Sequence, residues 1–292
     1  MSDTEPDATT NDDPAASSDE RAPDHDEGAV GESARGDGRL SVVGLGPGSP
    51  EEMTARARET LWLAEELVGY DTYVDLLPDP LIADAEAVHA TGMGEEVSRV
   101  ETAIDRAAAG SQVALVGSGD PNVYALAGLV LEVLESRGMA PDDVGFEAVP
   151  GVPAAQAAAA RLGAPIVGDA ASVSLSDRLT PAEEIESRLE AVASEGFAIA
   201  LYNPWSPGRT DLYRRCCEIL LDHRAPDTPV GVVRAAGRED EATRIVDLED
   251  LPDLGETDLV DMTTTILVGT EDTEVVDGRM ITPRGYGRKY DY

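Results

Sequence analysis

The stretch from Val113 to Ala127, Val-Ala-Leu-Val-Gly-Ser-Gly-Asp-Pro-Asn-Val-Tyr-Ala-Leu-Ala, constrains the fold more than any other. An apolar run of strand length stops at Gly117-Ser-Gly-Asp-Pro121. A helical pattern then begins, with apolar residues at Val123, Leu126, Ala127, Val130, Leu131 and Leu134. A strand that breaks on glycines and gives way to a helix is how an open α/β sheet makes a ligand crevice at its carboxyl edge. Gly119 would let a ligand approach the backbone, and the first helical amides would face the same space. By itself the segment fits an ordinary strand–turn–helix connection as well as a binding loop.

The same alternation runs through the chain from Leu40 onward. Leu40-Ser-Val-Val reads as a buried strand entering a glycine-rich turn, Gly44-Leu-Gly-Pro-Gly48. Thr54 is placed to cap a helix reaching about Glu66. Short strands are expected at 67–69 and 86–89, a short helix at 70–77 and a well-patterned helix at 95–109. A last strand of this half is expected at 144–149. Pro150-Gly-Val-Pro153 punctuates the chain near its midpoint and is the expected domain boundary. Beyond it the pattern predicts helices at 154–162, 181–194 and 210–222. Strands are predicted at 172–175, 197–202, 230–234, 243–247 and 264–268. The first half should be mostly parallel and the second mixed, with no detectable repeat between them.

Charge narrows the function classes. Acidic residues outnumber basic ones 58 to 22, a net charge of −36, and Lys289 is the only lysine. Such a chain repels a phosphate backbone, which argues against nucleic-acid binding. The excess runs along the whole chain and arginine replaces lysine, which matches adaptation to a high-salt cytoplasm that screens self-repulsion. No apolar run is long enough to span a membrane. The polar, acidic N-terminus is unlike a secretory signal peptide, so a cytoplasmic protein is expected. Residues 1–38 hold twelve acidic residues and almost no large apolar side chain, and are expected to be a disordered tail. Cys216 and Cys217 are neighbours on a predicted helix and read as reduced thiols.

The glycine turns resist assignment to phosphate. Gly44-Leu-Gly-Pro-Gly48 lacks the G-x-G-x-x-G spacing, and no lysine is available for a P-loop. His25, His89 and His223 have no partners at metal-ligand spacing. Ser118 has no His/Asp set to activate it, and Asp120 fits a helix cap better than a general base. What remains is chemistry that depends on positioning, with the reactive group brought by a cofactor or substrate.

Several separated segments then make a resemblance specific. They are Val43-Gly-Leu-Gly-Pro-Gly48, Val68-Gly-Tyr-Asp-Thr-Tyr73, Thr91-Gly-Met-Gly-Glu-Glu96, Ser118-Gly-Asp-Pro121 and Pro150-Gly-Val152. Further along come Ser174-Leu-Ser-Asp177, Ala200-Leu-Tyr-Asn-Pro204, Ala236-Gly-Arg-Glu239 and Thr282-Pro-Arg-Gly-Tyr286. From about Leu40 to Tyr286 the chain resembles the tetrapyrrole methyltransferases of corrin biosynthesis. Within them it is most similar to the precorrin-3B (cobalt-precorrin-3) C17-methyltransferases. The resemblance implies a two-domain α/β fold, with a mostly parallel N-terminal sheet in residues 39–150 and a mixed C-terminal sheet in residues 151–287. A short tail, 288–292, follows. It also implies a homodimer, S-adenosylmethionine in the cleft between the domains, and a (cobalt-)precorrin-3 substrate methylated at C17 with ring contraction.

Position by position, the resemblance places Pro47 against the cofactor. Ser118, Gly119, Asp120 and Val123 would hold its methionine end and ribose. Pro153 and Ala154 follow the inter-domain Pro-Gly, and Tyr202, Asn203, Ala236 and Thr265 would surround the adenine. Pro153 stands where the family commonly has threonine, which removes an N–H and a hydroxyl. The substrate carries many carboxylates, so arginines should receive it. Arg178, Arg234, Arg238 and Arg284 are candidates because they lie in the motifs, although each could equally pair with the abundant surface carboxylates. Arg238→Ala is expected to weaken tetrapyrrole binding while cofactor binding persists; unchanged substrate affinity would refute that role. Methylation at another ring carbon, and binding without catalysis, are the competing readings.

Overall fold

The structure, a computed structural model, describes residues 38–206 and 208–291. The acidic segment expected to be disordered lies, up to residue 37, outside the described residues. All described residues belong to one compact unit.

Five short apolar runs build the first sheet: β1 (Arg39–Gly44), β2 (Glu66–Tyr70), β3 (Ala87–Thr91), β4 (Gln112–Gly117) and β5 (Glu147–Val149). Their order is β3-β2-β4-β1-β5, and every pairing is parallel. Leu40, Val42, Val43, Val113, Ala114, Leu115 and Val116 are buried, because helices cover both faces as a parallel sheet requires. The helices of this half are α1 (Ala55–Leu63), α2 (Asp71–Val74), α3 (Asp79–Asp84), α4 (Glu96–Ala108) and α5 (Ala127–Ser136). Val100, Ala103, Ile104 and Ala107 recur at helical spacing in α4 and all pack into the core.

The chain leaves the first sheet after Val149 and enters α6 (Ala154–Leu162). The second half adds β6 (Gly163–Ala164), β7 (Ala170–Ser174), α7 (Ala182–Ser194), β8 (Ala198–Tyr202), α8 (Thr210–His223), β9 (Pro229–Arg234) and β10 (Ala242–Asp247). Then come α9 (Leu251–Leu254), β11 (Thr264–Val268), β12 (Glu274–Val276) and β13 (Arg279–Ile281). The second sheet has the order β10-β9-β11-β8-β7 and is mixed, since β7 runs parallel to β8 and the other pairs are antiparallel. A small third sheet, β12-β13-β6, closes the chain end onto the exit of α6.

The expected alternation of strands and helices holds, with local differences that have physical causes. Thr54 does cap α1, its hydroxyl accepting from the Ala57 amide at 3.1 Å, but α1 stops at Leu63 because Glu66 already belongs to β2. α5 starts at Ala127, several residues later than its apolar pattern, because Tyr124 has a left-handed backbone (φ 51°) that no helix continues through. α3 and the β12–β13 hairpin have patterns too short to be read from sequence. Cys216 and Cys217 are free, and burial pushes both thiols up to about 12, so they are inert packing groups of α8. No helix among the described residues is long and apolar enough to cross a membrane.

Candidate functional site

β1 and β4 are neighbours in register, Gly44 opposite Gly117, so both glycine turns leave the same edge of the sheet side by side. There the two loops join. Gly119 donates its amide to Gly46 O at 2.7 Å, and Gly46 donates back to Gly119 O at 3.1 Å. Asp120 adds a third strand of chain to this junction. One carboxylate oxygen accepts from the Asn122 amide at 2.9 Å, and the other from the Gly151 amide at 3.2 Å. It therefore caps its own turn and braces the crossing between the sheets, rather than capping a helix as its position suggested.

The crossing leads into α6 through Pro153, which has no side chain to cap the helix. Tyr202, at the end of β8, supplies the acceptor that the missing threonine would have offered: its phenol oxygen takes the Ala155 amide at 3.0 Å. Burial raises the Tyr202 phenol above its ordinary value, so it remains protonated. Tyr124 packs against it with ring centroids 5.1 Å apart and donates to Ser172 O at 2.9 Å.

Between the sheets these loops enclose a cleft of about 500 Å³, within the usual size of a small-molecule site. Pro47, Ser118, Gly119, Asp120, Val123, Pro153, Ala154, Tyr202, Asn203, Ala236 and Thr265 all line it. So do Arg178 and Arg238. Arg234 and Arg284 are not among its lining residues. Arg234 pairs with Asp240 at 3.2 Å and Asp261 at 3.7 Å, and Arg284 donates to Val167 O at 2.9 Å. In a chain this acidic Arg234 readily meets carboxylates, whereas Arg284 is taken up by a main-chain carbonyl.

Three of the four non-glycine residues with left-handed backbones among those described, Tyr124, Asn203 and Ala235, line this one cleft. Such conformations cost on the order of 1–3 kcal/mol each and persist where surroundings hold them. Arg209 holds the loop that carries Asn203. It is buried, and donates to Leu175 O at 2.8 Å, to Asn203 O at 3.4 Å and to Met262 Sδ at 3.0 Å. Burial lowers its pKa, the expected direction for a cation surrounded mainly by neutral acceptors.

A second clamp ties the loop after β9 to the first glycine turn. Arg161 of α6 makes a bidentate pair with Glu52, at 2.7 and 2.8 Å, and donates from Nε to Glu241 at 2.9 Å. Glu241 in turn accepts from the Gly237 amide at 2.6 Å. The Glu52 carboxylate, with help from Glu241, raises the Arg161 pKa further. Over the same turn lies the Arg238 stem, where a Cβ on Gly48 would come within 2.5 Å of Arg238 Cγ. Arg238 Nε is buried without a hydrogen-bond partner among the described residues. Arg161→Ala should therefore loosen the cleft more than the fold. With the cofactor that the resemblance implies as the ligand, the Kd for S-adenosylhomocysteine is expected to rise about tenfold, roughly 1.4 kcal/mol. A lowered melting temperature with unchanged affinity would show that the clamp serves folding alone.

Several lining residues escaped sequence reasoning. Tyr70, Tyr73, Met93 and Tyr124 sit in stretches already singled out, so a signal existed. Met262 had none, since nothing local marks a half-exposed Met as facing a cleft. Among the described residues no histidine or cysteine lines the cleft, and no cluster of three or more His, Cys, Asp or Glu is arranged for a metal.

Comparison with known proteins agrees with this architecture. A cobalt-factor III methyltransferase of Priestia megaterium is 45% identical over 254 residues, covering 87% of this chain and 46% of its own length. The chain thus spans about half of that relative. A probable cobalt-factor III C(17)-methyltransferase of Salmonella typhimurium is 44% identical over 247 residues, covering 85% of this chain and 99% of its own. The crystal structure of the methyltransferase CobJ superposes with a TM-score of 0.76 at 35% identity, covering 84% of this chain and all of its own. The profile of the Tetrapyrrole (Corrin/Porphyrin) Methylases matches residues 39–252. With the glycine turns, the mixed second sheet and the cleft between them in place, the chain belongs to the tetrapyrrole (corrin/porphyrin) methylase family.

Proposed function

We propose that the chain is an S-adenosylmethionine-dependent C-methyltransferase acting at C17 of precorrin-3B or its cobalt-bearing counterpart, with contraction of the macrocycle. Residues 39–150 and 151–287 are its two domains. The observation that carries this is the convergence of eleven residues from separate motifs of both halves on one cleft with three arginines, Arg99, Arg178 and Arg238, in its walls.

The cleft fits the methyl donor on its own geometry. A Cβ at Gly117 would meet no heavy atom within 4 Å, so the floor at this glycine is open space. Gly119 is left-handed (φ 66°), which turns the loop back beneath that space. Ser118, Gly119, Asp120 and Val123 would hold the methionine and ribose end. Tyr202, Asn203, Ala236 and Thr265 would surround the adenine. S-adenosylmethionine supplies an electrophilic methyl group on a sulfonium when bound.

The chain's own contribution is alignment. Among the described residues no histidine or cysteine lines the cleft, burial raises the Tyr124 and Tyr202 phenols, and Asp120 is committed to the Asn122 and Gly151 amides, so Glu96 is the one other carboxylate of its walls. An electron-rich ring carbon needs only to be held in line with the methyl group and kept from water. Arg178 and Arg238 would receive substrate carboxylates. Because the Arg238 stem rests on the first glycine turn, Arg238→Met, which keeps the stem, is a cleaner test than Arg238→Ala. It should raise substrate KM and leave S-adenosylhomocysteine affinity unchanged; a substrate KM equal to wild type would exclude Arg238 from the substrate site.

The decisive experiment is incubation of the protein at molar salt with precorrin-3B or cobalt-factor III and methyl-labelled S-adenosylmethionine, followed by NMR of the product. Label at C17 is the expected result. Label at another ring carbon would make the chain a different corrin methyltransferase, and binding without transfer would make it a carrier.

A further inference from the structure

One guanidinium in the cleft wall lies within the fold rather than at its surface. Arg99, in the first turn of α4, is 4% exposed and still lines the cleft. A buried arginine usually has a carboxylate beside it. Arg99 has none within ion-pair distance among the described residues, although the chain holds 58 acidic residues. Its partners are neutral. Nε donates to Thr91 Oγ1 at 2.7 Å, Nη2 donates to Gly92 O at 2.9 Å, and the guanidinium carbon stands 5.6 Å from the centre of the Tyr70 ring. These contacts orient the planar group and leave its charge unmatched.

The remaining nitrogen points to a ligand. Among the described residues the buried side-chain nitrogens sealed off without a partner are Arg224 Nε and Arg238 Nε. Arg99 Nη1 has no partner either, yet is not sealed, so it keeps an opening, and the open space its residue borders is the cleft. Arg224 makes the contrast: comparably buried, it donates to Phe197 O and Val192 O and does not line the cleft.

The other wall reaches the same place. A Cβ on Gly94 would come within 3.7 Å of Arg178 Nη2, so Arg178 faces the Thr91–Glu95 loop that Arg99 supports from behind. Glu95 holds that loop by accepting the Gly92 amide at 2.6 Å. The cleft lining holds two carboxylates, Glu96 and Asp120, and Asp120 is already engaged by the Asn122 and Gly151 amides.

We propose that Arg99, with Arg178 opposite, forms a subsite for a carboxylate side chain of the tetrapyrrole, and that Arg99 is a specificity-determining residue. The proposal rests on the tetrapyrrole reading above. Its ligand class is an acetate or propionate carboxylate, gripped by a preoriented guanidinium in a partly dehydrated wall.

Arg99→Met keeps length and apolar packing against Tyr70, and Arg99→Lys keeps the charge without the fork. Both are assayed with precorrin-3B and with its methyl-esterified form, alongside S-adenosylhomocysteine affinity and melting temperature. We expect Arg99→Met to raise KM for the free acid roughly 30-fold, to leave kcat and S-adenosylhomocysteine affinity unchanged, and to erase most of the preference for acid over ester. Arg99→Lys should recover part of that preference. Equal KM increases for acid and ester, or a preference preserved in Arg99→Met, would overturn the subsite. If the wild-type protein transfers no methyl group, the functional reading has failed and the subsite is judged by binding of uroporphyrin III, a polycarboxylate tetrapyrrole that needs no turnover. A similar loss of affinity in Arg99→Met supports it, and unchanged affinity refutes it.

Discussion

Replacing Gly151 by alanine is expected to abolish methyl transfer and to lower the melting temperature. A Cβ at Gly151 would stand 2.0 Å from Gly119 O, 2.6 Å from Gly44 O and 2.8 Å from the Gly44 carbonyl carbon. All three are backbone atoms, so no rotamer change relieves the clash. Gly44 has the converse problem, since its own Cβ would fall 2.5 Å from Gly119 O and 2.8 Å from Gly151 N. Three chain segments thus touch backbone to backbone where the two sheets meet. Overpacking a core typically costs 1–3 kcal/mol, and displacing a hydrogen-bonded main chain should reach or exceed the upper end. The amide that Gly151 donates to Asp120 would shift as well, moving the loop that carries Ser118 and Gly119. Gly128→Ala is the control: it lies in α5, and its Cβ would meet nothing within 4 Å. That change should stabilise slightly, by roughly 0.5–1 kcal/mol. Calorimetric unfolding and S-adenosylhomocysteine titration of both variants decide the matter. A Gly151→Ala protein with wild-type stability and affinity would show that the junction yields easily.

The second large effect concerns acid stability and lies outside the cleft. Glu66 begins β2 and is buried, yet its carboxylate accepts from Arg106 Nε at 2.7 Å, Ser111 Oγ at 2.7 Å and His89 Nε2 at 2.8 Å. The Arg106 hydrogen bond, followed by Ser111 and His89, outweighs burial and holds the carboxyl down at about 2, against 4.5 for a free glutamate. A depressed folded-state pKa means that the unfolded chain takes up the proton first. The stabilisation is therefore complete above about pH 4.5 and is lost as pH falls toward 2. Arg106 is half exposed, so solvent screens part of the interaction. About 2–3 kcal/mol is a reasonable expectation. Glu66→Gln should be less stable than wild type by this amount at neutral pH, and the two should converge as pH approaches 2. Urea unfolding at several pH values at constant high salt measures it; a gap independent of pH would exclude Glu66 as the titrating group.

Much of the fold is written in local pattern. The strand Leu40-Ser-Val-Val, the cap at Thr54, the amphipathic α4 and the apolar run before Gly117 each have a short-range cause, and the structure places them within a few residues of expectation. The glycine turns were legible for the same reason. A residue without a Cβ leaves a mark in the sequence, and phosphate could be set aside by spacing and by the missing lysine. Asp120 was legible only in part. Its type and position suit a cap, but what it caps includes Gly151, thirty-one residues away. The arginines show the limit most plainly. Arg178 and Arg238 line the cleft while Arg234, close to Arg238 in sequence, turns to Asp240 and Asp261.

Arg99 could not be singled out, because its meaning depends on pairing between strands. β2 and β3 bring Tyr70 and Thr91 into register, and only then does the first turn of α4 lay a guanidinium across both. Alone, the sequence determined the alternation of strand and helix, the glycine turns, the crossing at Pro150-Gly151 and the acidic surface, all properties of residues and their near neighbours. Tertiary structure decided which charges remain unpaired and which backbones touch. Those outcomes depend on desolvation and close approach between segments far apart in the chain, and local patterning carries no record of either.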